Sequence, residues 1–407
     1  MLYVASAIEI GSASGGATHV SEVACGLRDL GHEVLVVARP ARGSSRDQGL
    51  GIRDRKPDPW SQIEGCDVQV RGVRFRQQLA LLGLGAVRRA MKEFRPDVVM
   101  ERFYNFAGAG ILLAHRQGIP SLLEVNAPMI DPPGSRKARV DRVLFGVMRK
   151  WAVKQALWSA AIVTPLHTTV PPEVPRARIR ELPWGANVDR FDPSIRHTRS
   201  GELAMLRRKV GLSGDGPVAV FLGSFRAWHG VSHFAEAARR LIAQGSDLSF
   251  VAIGGGPELA PLAEQVGGWG LPAGHFVFAG PQEHSRVPLL LALADIGVAP
   301  FDLSAYAPLR AFGFYWSPLK VFEYMSMRLP VVTIDVPPLN GIVRDEREGL
   351  LYPSGDIEAL TQALRHLERD PGARERMSAA ARERVVERYS WHAHCLALDS
   401  ILKEIAR

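Results

Sequence analysis

The 407-residue chain is poor in cysteine and lacks the marks of a secreted or membrane-spanning protein. Its three cysteines, Cys25, Cys66 and Cys395, have no metal-ligand spacing and cannot all pair, and no Asn-x-Ser/Thr sequon is present. No basic leader opens the chain and no run of about 18 apolar residues follows, so we expect neither a signal peptide nor a transmembrane helix. These absences favour a reducing, cytoplasmic location.

Several motifs of nucleotide and hydrolytic chemistry are also absent. No Gly-x-Gly-x-x-Gly follows a strand-like run and no P-loop occurs, so neither dinucleotide nor P-loop chemistry is indicated. There is no Gly-x-Ser-x-Gly elbow and no His-Glu-x-x-His pair. Without an Asp-x-Asp pair to hold a divalent ion, we expect no metal and no bound cofactor. A diphosphate ligand would then be neutralised by Lys, Arg and helix ends.

The composition is that of a folded protein with a basic first half. Hydrophobic residues make up 46% and charged residues 23% of the chain, and its length suits two or three domains. Residues 1–193 carry 27 Lys or Arg against 19 Asp or Glu, whereas residues 194–407 carry 23 of each. The excess indicates an anionic partner for the first half, such as a phospholipid surface, an anionic acceptor or nucleic acid. The alternative is a basic surface that is only solvated.

Short apolar runs alternate with helix-like stretches along the chain, which predicts an α/β fold with two doubly wound parallel sheets. The strand-like runs are 2–6, 33–38, 68–75, 97–103, 121–126, 161–165, 218–224, 248–256, 275–280, 295–300, 331–335 and 349–353, and a loop is predicted at 41–60. Turn residues near 190–200 place a domain boundary at 193/194. The predicted domains are 1–193 and 194–390, with a last helix, 391–407, returning to the first. Ligands should bind beyond the carboxyl ends of the strands, in a cleft between the sheets.

The segment Ser317-Pro318-Leu319-Lys320 predicts a phosphate site at the start of a helix. Ser317 is a favoured N-cap and Pro318 a favoured first helical residue, so the free N–H groups of that turn and the charge of Lys320 would meet an anion. Glu323 lies on the same face one turn on and can accept hydrogen bonds from ribose hydroxyls. The alternative is a surface helix with an ordinary ion pair between Lys320 and Glu323.

Three further turns after strand-like runs are candidates for ligand contact. Residues 225–230, FRAWHG, bring two potential cations, Arg226 and His229, although a solvated turn explains them equally well. The glycines of 254–256 and the pair Gly15-Gly16 permit close backbone approach to a ligand.

The order and spacing of seven segments resemble the retaining glycosyltransferases of family four, whose GT-B fold has two Rossmann-like domains facing a central cleft. The segments are GGATHVSEVACGLRDLGHEVLVVA (15–38), PWGANVDRF (183–191), GSFRAWHG (223–230), AIGGGPE (252–258), FVFAGPQEH (276–284), SPLKVFEYMSMRLPVV (317–332) and GIVRDEREGLLYPSGD (341–356). The resemblance implies that the second domain binds a nucleotide sugar, that Glu323 holds its ribose, and that the first domain holds the acceptor.

The resemblance, together with the local patterns, assigns site residues to three roles. The catalytic set is Arg226, His229, Lys320 and Glu323; the donor-binding set adds Gly16, Ser224, Gly255, Pro281, Tyr315, Ser317, Pro318 and Leu319; the acceptor side holds Gly15, His19, Glu124 and Asn126. The chain departs from the family at four of these positions. Ser224 and His229 stand where members commonly have Arg and Lys, Tyr315 where many have Glu, and Asn126 where many have His. We expect Arg226 or a protonated His229 to take over part of the phosphate neutralisation.

The predicted function is metal-independent transfer of a sugar, of hexosyl type, from a nucleotide diphosphate donor to a hydroxyl of a glycan, lipid or small molecule, with retention and without a protein nucleophile. Polysaccharide or glycolipid biosynthesis is the expected setting, and no nucleic-acid partner is assigned. Two alternatives stay open: a nucleotide-sugar epimerase of the same fold, and an inactive sugar-nucleotide-binding partner protein. Residues 136–154 hold seven Lys or Arg and one acid among apolar side chains, which predicts a helix lying on the anionic inner face of a membrane. The alternative is an amphipathic helix packed on its own domain.

Overall fold

The computed structural model describes residues 1–12, 15–39, 60–63, 65–73, 83–213 and 216–407. These residues form two compact units: Met1–Pro183 with His394–Arg407, here unit 1, and Trp184–Ala393, here unit 2. The boundary predicted at 193/194 therefore lies within unit 2. Apart from Trp60, the predicted loop at 41–60 lies outside the described residues, as do the last two residues of the predicted strand at 68–75.

Unit 1 is built on an eight-stranded sheet of order β3-β4-β2-β1-β5-β6-β7-β8, in which β3 alone pairs antiparallel. Its strands are β1 (Leu2–Glu9), β2 (Leu35–Arg39), β3 (Trp60–Gln62), β4 (Gln69–Gly72), β5 (Val99–Arg102), β6 (Ser121–Glu124), β7 (Ala161–Thr164) and β8 (Ile179–Glu181). The central strands are buried over most of their length, as expected for a parallel sheet that is covered on both faces. Chain order reverses between β1 and β5, which makes their carboxyl ends the expected ligand edge of this unit.

The helices of unit 1 are α1 (Gly15–Asp29), α2 (Leu84–Phe94), α3 (Ala109–Gln117), α4 (Arg136–Val143) and α5 (Val147–Trp158), together with most of α16 (Trp391–Ile405). Three of them, α2, α3 and α5, contribute to two apolar clusters with the sheet. One cluster joins α2 and α3 to β1, β2 and β5, and the other joins α3 and α5 to β6 and β7. A disulfide joins Cys25 on α1 to Cys66, whereas Cys395 is a buried free thiol. This pairing was not predicted, and it runs against the expectation of reduced cysteines.

Unit 2 carries a six-stranded, fully parallel sheet of order β11-β10-β9-β12-β13-β14. Its strands are β9 (Val218–Leu222), β10 (Ser249–Ile253), β11 (Phe276–Gly280), β12 (Ile296–Ala299), β13 (Val331–Ile334) and β14 (Gly349–Tyr352). The helices are α6 (Ile195–Thr198), α7 (Ser200–Val210), α8 (Val231–Ala243), α9 (Leu259–Gly267), α10 (Val287–Leu291), α11 (Ala307–Phe312), α12 (Leu319–Ser326), α13 (Leu339–Ile342), α14 (Ile357–Arg369) and α15 (Pro371–Arg388). Chain order reverses between β9 and β12, the switch point where a doubly wound sheet binds its ligand.

The two parallel sheets confirm the α/β prediction, and the observed strands fall within the predicted runs except for β3, β8, the longer end of β1 and the last residue of β2. The sequence analysis missed β8 because Ile179–Glu181 alternates apolar and charged residues over only three positions. Within the described part of the chain, no helix is both long enough and apolar enough to cross a membrane.

Candidate functional site

The candidate site in unit 2 forms where β9 and β12 end side by side. The Tyr324 hydroxyl, from α12, accepts a hydrogen bond from Leu222 N at 2.7 Å and donates to Val298 O at 3.3 Å, so it ties the two strand ends together. Residues 223–230 then form the loop between β9 and α8, with a 3₁₀ turn at Ala227–His229. Gly230 has a φ of 73°, and a Cβ there would lie 1.6 Å from Pro300 O, so only glycine lets the loop pass this close to the end of β12.

Three polar side chains, Lys320, His229 and Ser224, form a row at this edge. Lys320 Nζ lies 3.1 Å from His229 Nδ1, and His229 Nε2 lies 3.1 Å from Ser224 Oγ. An ammonium group can only donate, so Nδ1 accepts from Lys320, and the ring proton sits on Nε2 and is donated to Ser224. Lys320 Nζ also lies over the rings of Phe221 and Phe301, 4.2 and 4.9 Å from their centroids.

Burial sets the protonation of this row. Lys320 is only 7% exposed, and the loss of solvation lowers its pKa to about 7, although Glu323 acts in the opposite direction. Burial also lowers the pKa of His229 to about 2, helped by the charges of Lys320 and Arg226. His229 is therefore a neutral hydrogen-bond partner of Lys320 in this structure, and its protonation beside a bound diphosphate stays a prediction.

The start of α12 differs from the prediction. The helix begins at Leu319, and Ser317 is not its N-cap, because Ser317 Oγ accepts a hydrogen bond from Trp184 N at 2.9 Å. Leu319 N donates to Ser317 O at 3.0 Å, and Val321 N donates to Pro318 O at 2.8 Å. These N–H groups are used locally. An anion at this end of the helix would therefore meet the buried ammonium group of Lys320 rather than a set of free backbone N–H groups.

Glu323 lies one turn further along α12 and is largely buried. Its Oε1 is 2.9 Å from Nε2 of His284, which follows β11. The alternative of a simple surface ion pair between Lys320 and Glu323 is not what the structure shows: each has a different neighbour. His284 lies within the segment FVFAGPQEH, but it was not among the predicted site residues. Its position after the carboxyl end of a strand was the available signal.

The glycines at 254–256 contact the protein itself. A Cβ at Gly254 would lie 1.9 Å from Gly223 O, and one at Gly255 would lie 2.7 Å from Pro281 Cγ. Phe225 N also donates to Gly255 O at 2.9 Å. These residues let the loop after β10 pack against the loop after β9. The predicted donor contacts of Gly255 and Pro281 stay predictions.

Aromatic rings border the row on one side, and Tyr315 lies behind them. The Trp228 ring is 3.8 Å from His229 and 4.2 Å from Trp316, and the partly exposed Tyr306 is 5.7 Å from Trp316. Tyr315 is buried beside Trp316, and its predicted contact with the donor sugar stays a prediction. Arg226 is exposed, and its part in phosphate neutralisation stays a prediction.

Three of the residues predicted for the acceptor side, His19, Glu124 and Asn126, belong to a largely buried network in unit 1. Arg102 donates to Glu124 Oε1 at 2.6 Å, and both Tyr3 and Asn126 also donate to Glu124. His19 Nδ1 lies 3.1 Å from Arg102, and burial, together with that charge, lowers the pKa of His19 well below its ordinary value. Burial alone would lower the pKa of Arg102, but Glu124 outweighs it and the pKa is raised.

The two glycines at this edge of unit 1 begin α1. Gly15 is exposed, whereas Gly16 packs against β1, where a Cβ would lie 2.8 Å from Ile8 Cδ1. Sequence reasoning did not include Arg102 or Tyr3 in the network. Both lie on strands whose carboxyl ends flank the reversal of chain order, and that topology was the signal for Arg102. The acceptor roles of Gly15, His19, Glu124 and Asn126 stay predictions, as does the donor role of Gly16.

Comparison with known proteins identifies the fold and the family of this chain. The chain is similar to the alpha-D-kanosaminyltransferase of Streptomyces kanamyceticus, 30% identical over 63% of this chain and 64% of that protein, so the alignment spans less than two thirds of the relative. It is 27% identical to the 2-deoxystreptamine N-acetyl-D-glucosaminyltransferase of Streptomyces fradiae over 89% and 84% of the two chains. The structure of Anabaena HepE in complex with UDP superposes with a TM-score of 0.72 at 15% identity over 99% of both chains.

Two family models match opposite halves of the sequence. The one described as "Glycosyl transferase 4-like domain" matches residues 14–185, and the one described as "Glycosyl transferases group 1" matches residues 204–384. Both the resemblance drawn from the seven segments and the GT-B fold are thereby confirmed. The chain belongs to the group 1, family-four glycosyltransferases of the GT-B fold.

Proposed function

We propose that this glycosyltransferase moves a sugar from a nucleotide diphosphate donor to an acceptor hydroxyl, with retention at the anomeric carbon. The observation that carries the proposal is the buried ammonium group of Lys320 at the switch point of unit 2. Among the described residues no carboxylate is within ion-pair distance of it, and burial lowers its pKa. A dianionic diphosphate supplies the charge that this position lacks and raises the pKa of Lys320 again.

The proposed transfer depends on stabilising the leaving diphosphate and does not need a nucleophilic side chain. As the bond from the anomeric carbon to the diphosphate oxygen breaks, negative charge grows on the diphosphate, and Lys320 and Arg226 stabilise it. The acceptor oxygen forms its bond on the same face, and the released diphosphate oxygen takes its proton. Ser224 and His229 hold Lys320 in place through the row of hydrogen bonds.

Glu323 binds the ribose hydroxyls in this proposal, because its second carboxylate oxygen and unused lone pairs can accept their hydrogen bonds while His284 holds Oε1. The Trp228 and Trp316 rings border the same site and offer flat apolar surface to a sugar.

For the acceptor we propose an aminocyclitol hydroxyl as the first class to assay, because the similar protein of Streptomyces fradiae carries 2-deoxystreptamine in its name. Phosphatidylinositol and maltodextrin represent the lipid and glycan classes beside it. The transfer assay should use UDP-, GDP- and ADP-sugars in turn. Product linkage by NMR then tests retention.

Donor binding is tested by thermal shift with UDP, GDP, ADP and their sugars. A ligand at 100 times its dissociation constant stabilises the protein by roughly 2.7 kcal/mol, so the matching base should stand out. Lys320→Met should reduce that shift, whereas Lys209→Met, which changes an exposed lysine of the same unit, should leave it unchanged. No shift with any nucleotide in the parent protein contradicts the proposal. Binding without transfer to any acceptor favours an inactive partner protein, and isomerised donor without acceptor favours an epimerase.

Metal independence is part of the proposal, because cationic side chains are already placed at the site. Excess EDTA should leave the transfer rate unchanged. A rate that EDTA removes and Mg²⁺ or Mn²⁺ restores would show that a metal ion, rather than Lys320 and Arg226, neutralises the diphosphate.

A further inference from the structure

Residues 136–158 form two short helices joined by a bend rather than the single amphipathic helix that the sequence predicts. α4 ends at Val143, and α5 begins at Val147. Between them Phe145 and Gly146 have φ values of 53° and 72°, and Gly146 N donates to Asp141 O at 2.8 Å, which closes α4. A left-handed conformation is uncommon for a bulky residue such as Phe145 and marks a turn that its surroundings impose.

The bend between α4 and α5 presents apolar side chains to solvent. Phe145 is 87% exposed, Val143 76% and Val147 59%, and Val140 and Leu144 are also exposed. We call these five residues the apolar tip. α4 buries none of its side chains, and α5 buries only Ala152, Gln155 and Ala156. The alternative of an amphipathic helix packed on its own domain therefore applies only to the second half of α5.

Exposed cations surround the apolar tip. Arg136, Arg139, Arg142, Lys150 and Lys154 are exposed and form no ion pair with any residue that the structure describes; we call them the basic collar. Asp141, the acid among them, is committed to the backbone, because its carboxylate accepts from Met148 N at 2.7 Å and Arg149 N at 3.2 Å. The five cations of the collar are thus not paired with any carboxylate that the structure describes.

We propose that the apolar tip inserts into the interface of an anionic lipid bilayer while the basic collar binds the lipid headgroups. Apolar side chains between exposed cations are the pattern of a surface that enters the headgroup boundary and neutralises its phosphates. A second copy of the chain is a poorer occupant, since pairing two tips would bring two collars of like charge together. The proposal concerns attachment and does not depend on the sugar that is transferred.

Vesicle flotation tests the proposal with the full-length chain. Vesicles of phosphatidylglycerol and phosphatidylcholine in equal parts should carry the protein at low salt, pure phosphatidylcholine should carry much less, and high salt should release it. Arg139→Ala and Lys150→Ala should each weaken binding roughly fivefold, the ratio expected for one cation near an anionic surface. Leu144→Ser with Phe145→Ser should weaken it at least tenfold even at low salt.

Matched variants separate the tip from general surface effects. Arg88→Ala and Arg89→Ala on α2 remove exposed charge from the same unit, and Leu396→Ser removes an exposed apolar side chain, so all three should bind like the parent. In Phe145→Trp, indole emission should shift to the blue with anionic vesicles, by difference from the parent protein. Absence of binding at low salt overturns the proposal. So does equal binding by the tip variants, or a dimer in solution that the tip variants convert to monomer.

Discussion

Each unit buries a cluster of ionisable groups near the reversal of its sheet, but the two clusters differ in charge balance. In unit 1 the guanidinium of Arg102 is paired with Glu124, and the pKa of Arg102 is raised despite its burial. In unit 2 the ammonium of Lys320 has a neutral imidazole and two phenyl rings as its nearest partners, and its pKa is lowered to about 7. The same burial therefore has opposite outcomes, because only one of the cations has an anion beside it.

This difference separates two uses of a buried charge. A cation that is compensated inside the fold contributes to the structure, since removing either partner leaves the other charge alone in a poorly solvated place. A cation that the fold leaves uncompensated costs stability until an anionic ligand arrives. The unit 1 cluster thus has the charge balance of a structural network, and the unit 2 cluster that of a binding site.

The largest expected effect is on the balanced cluster. Arg102→Ala should destabilise unit 1 by about 3 to 5 kcal/mol, because Glu124 is left buried without its counter-charge. Hydrogen exchange of the β5 and β6 amides, by mass spectrometry, reports this locally, and the amides of β12 and β13 serve as the internal control. Arg102→Ala with Glu124→Gln should recover part of the loss. Unchanged exchange in the single variant would mean that the network is not structural.

The next effect falls on the uncompensated cation. Lys320→Met keeps most of the side-chain volume, so its melting temperature should equal or exceed that of the parent. Its kcat should nevertheless fall roughly 100-fold, because the charge that grows on the leaving diphosphate loses its buried partner. A lower melting temperature together with normal turnover would reverse the roles assigned to the two clusters.

Topology was easier to predict from the sequence than the charge environment. Buried parallel strands are nearly continuous apolar runs, as in 218–222 and 331–334, so their position was visible before the structure. The approach of Lys320 to His229 joins residues far apart in the sequence and depends on Gly223, where a Cβ would lie 2.8 Å from Lys320 Nζ. No local pattern encodes that distance.

The start of α12 and the bend at 143–147 are two places where the local sequence did not predict the local structure. Ser317 and Pro318 have the right chemistry for a helix start, yet Trp184, distant in sequence, takes the Ser317 hydroxyl. The basic and apolar residues of 136–154 were recognised as a set, but the left-handed Phe145 was not, because a phenylalanine rarely adopts that conformation. Tertiary contacts overrode local propensity in the first case, and an uncommon backbone state did so in the second.

The lowered pKa of Lys320 also predicts that ligand binding depends on pH. The pKa of free Lys320 is lowered to about 7, and a bound diphosphate raises it, so binding takes up a proton above pH 7. Affinity for the nucleotide should therefore fall as pH rises from 7 to 9, by at most about tenfold per pH unit. Calorimetry in buffers of different ionisation enthalpy should show the uptake, and Lys320→Met should remove both effects. Binding that is independent of pH in the parent would mean that Lys320 is already charged without ligand.

The smallest expected effect concerns Glu323, whose partners do not change charge during the reaction. Glu323→Gln keeps one acceptor oxygen but weakens the grip on ribose hydroxyls, so the donor KM should rise several-fold with kcat nearly unchanged. His284→Ala removes the hydrogen bond that orients Glu323 and should raise KM by a smaller factor. If both act through the same contact, the double variant should be no worse than Glu323→Gln alone. A collapse of kcat at Glu323 with donor affinity intact would place this carboxylate at the reacting sugar instead of the ribose.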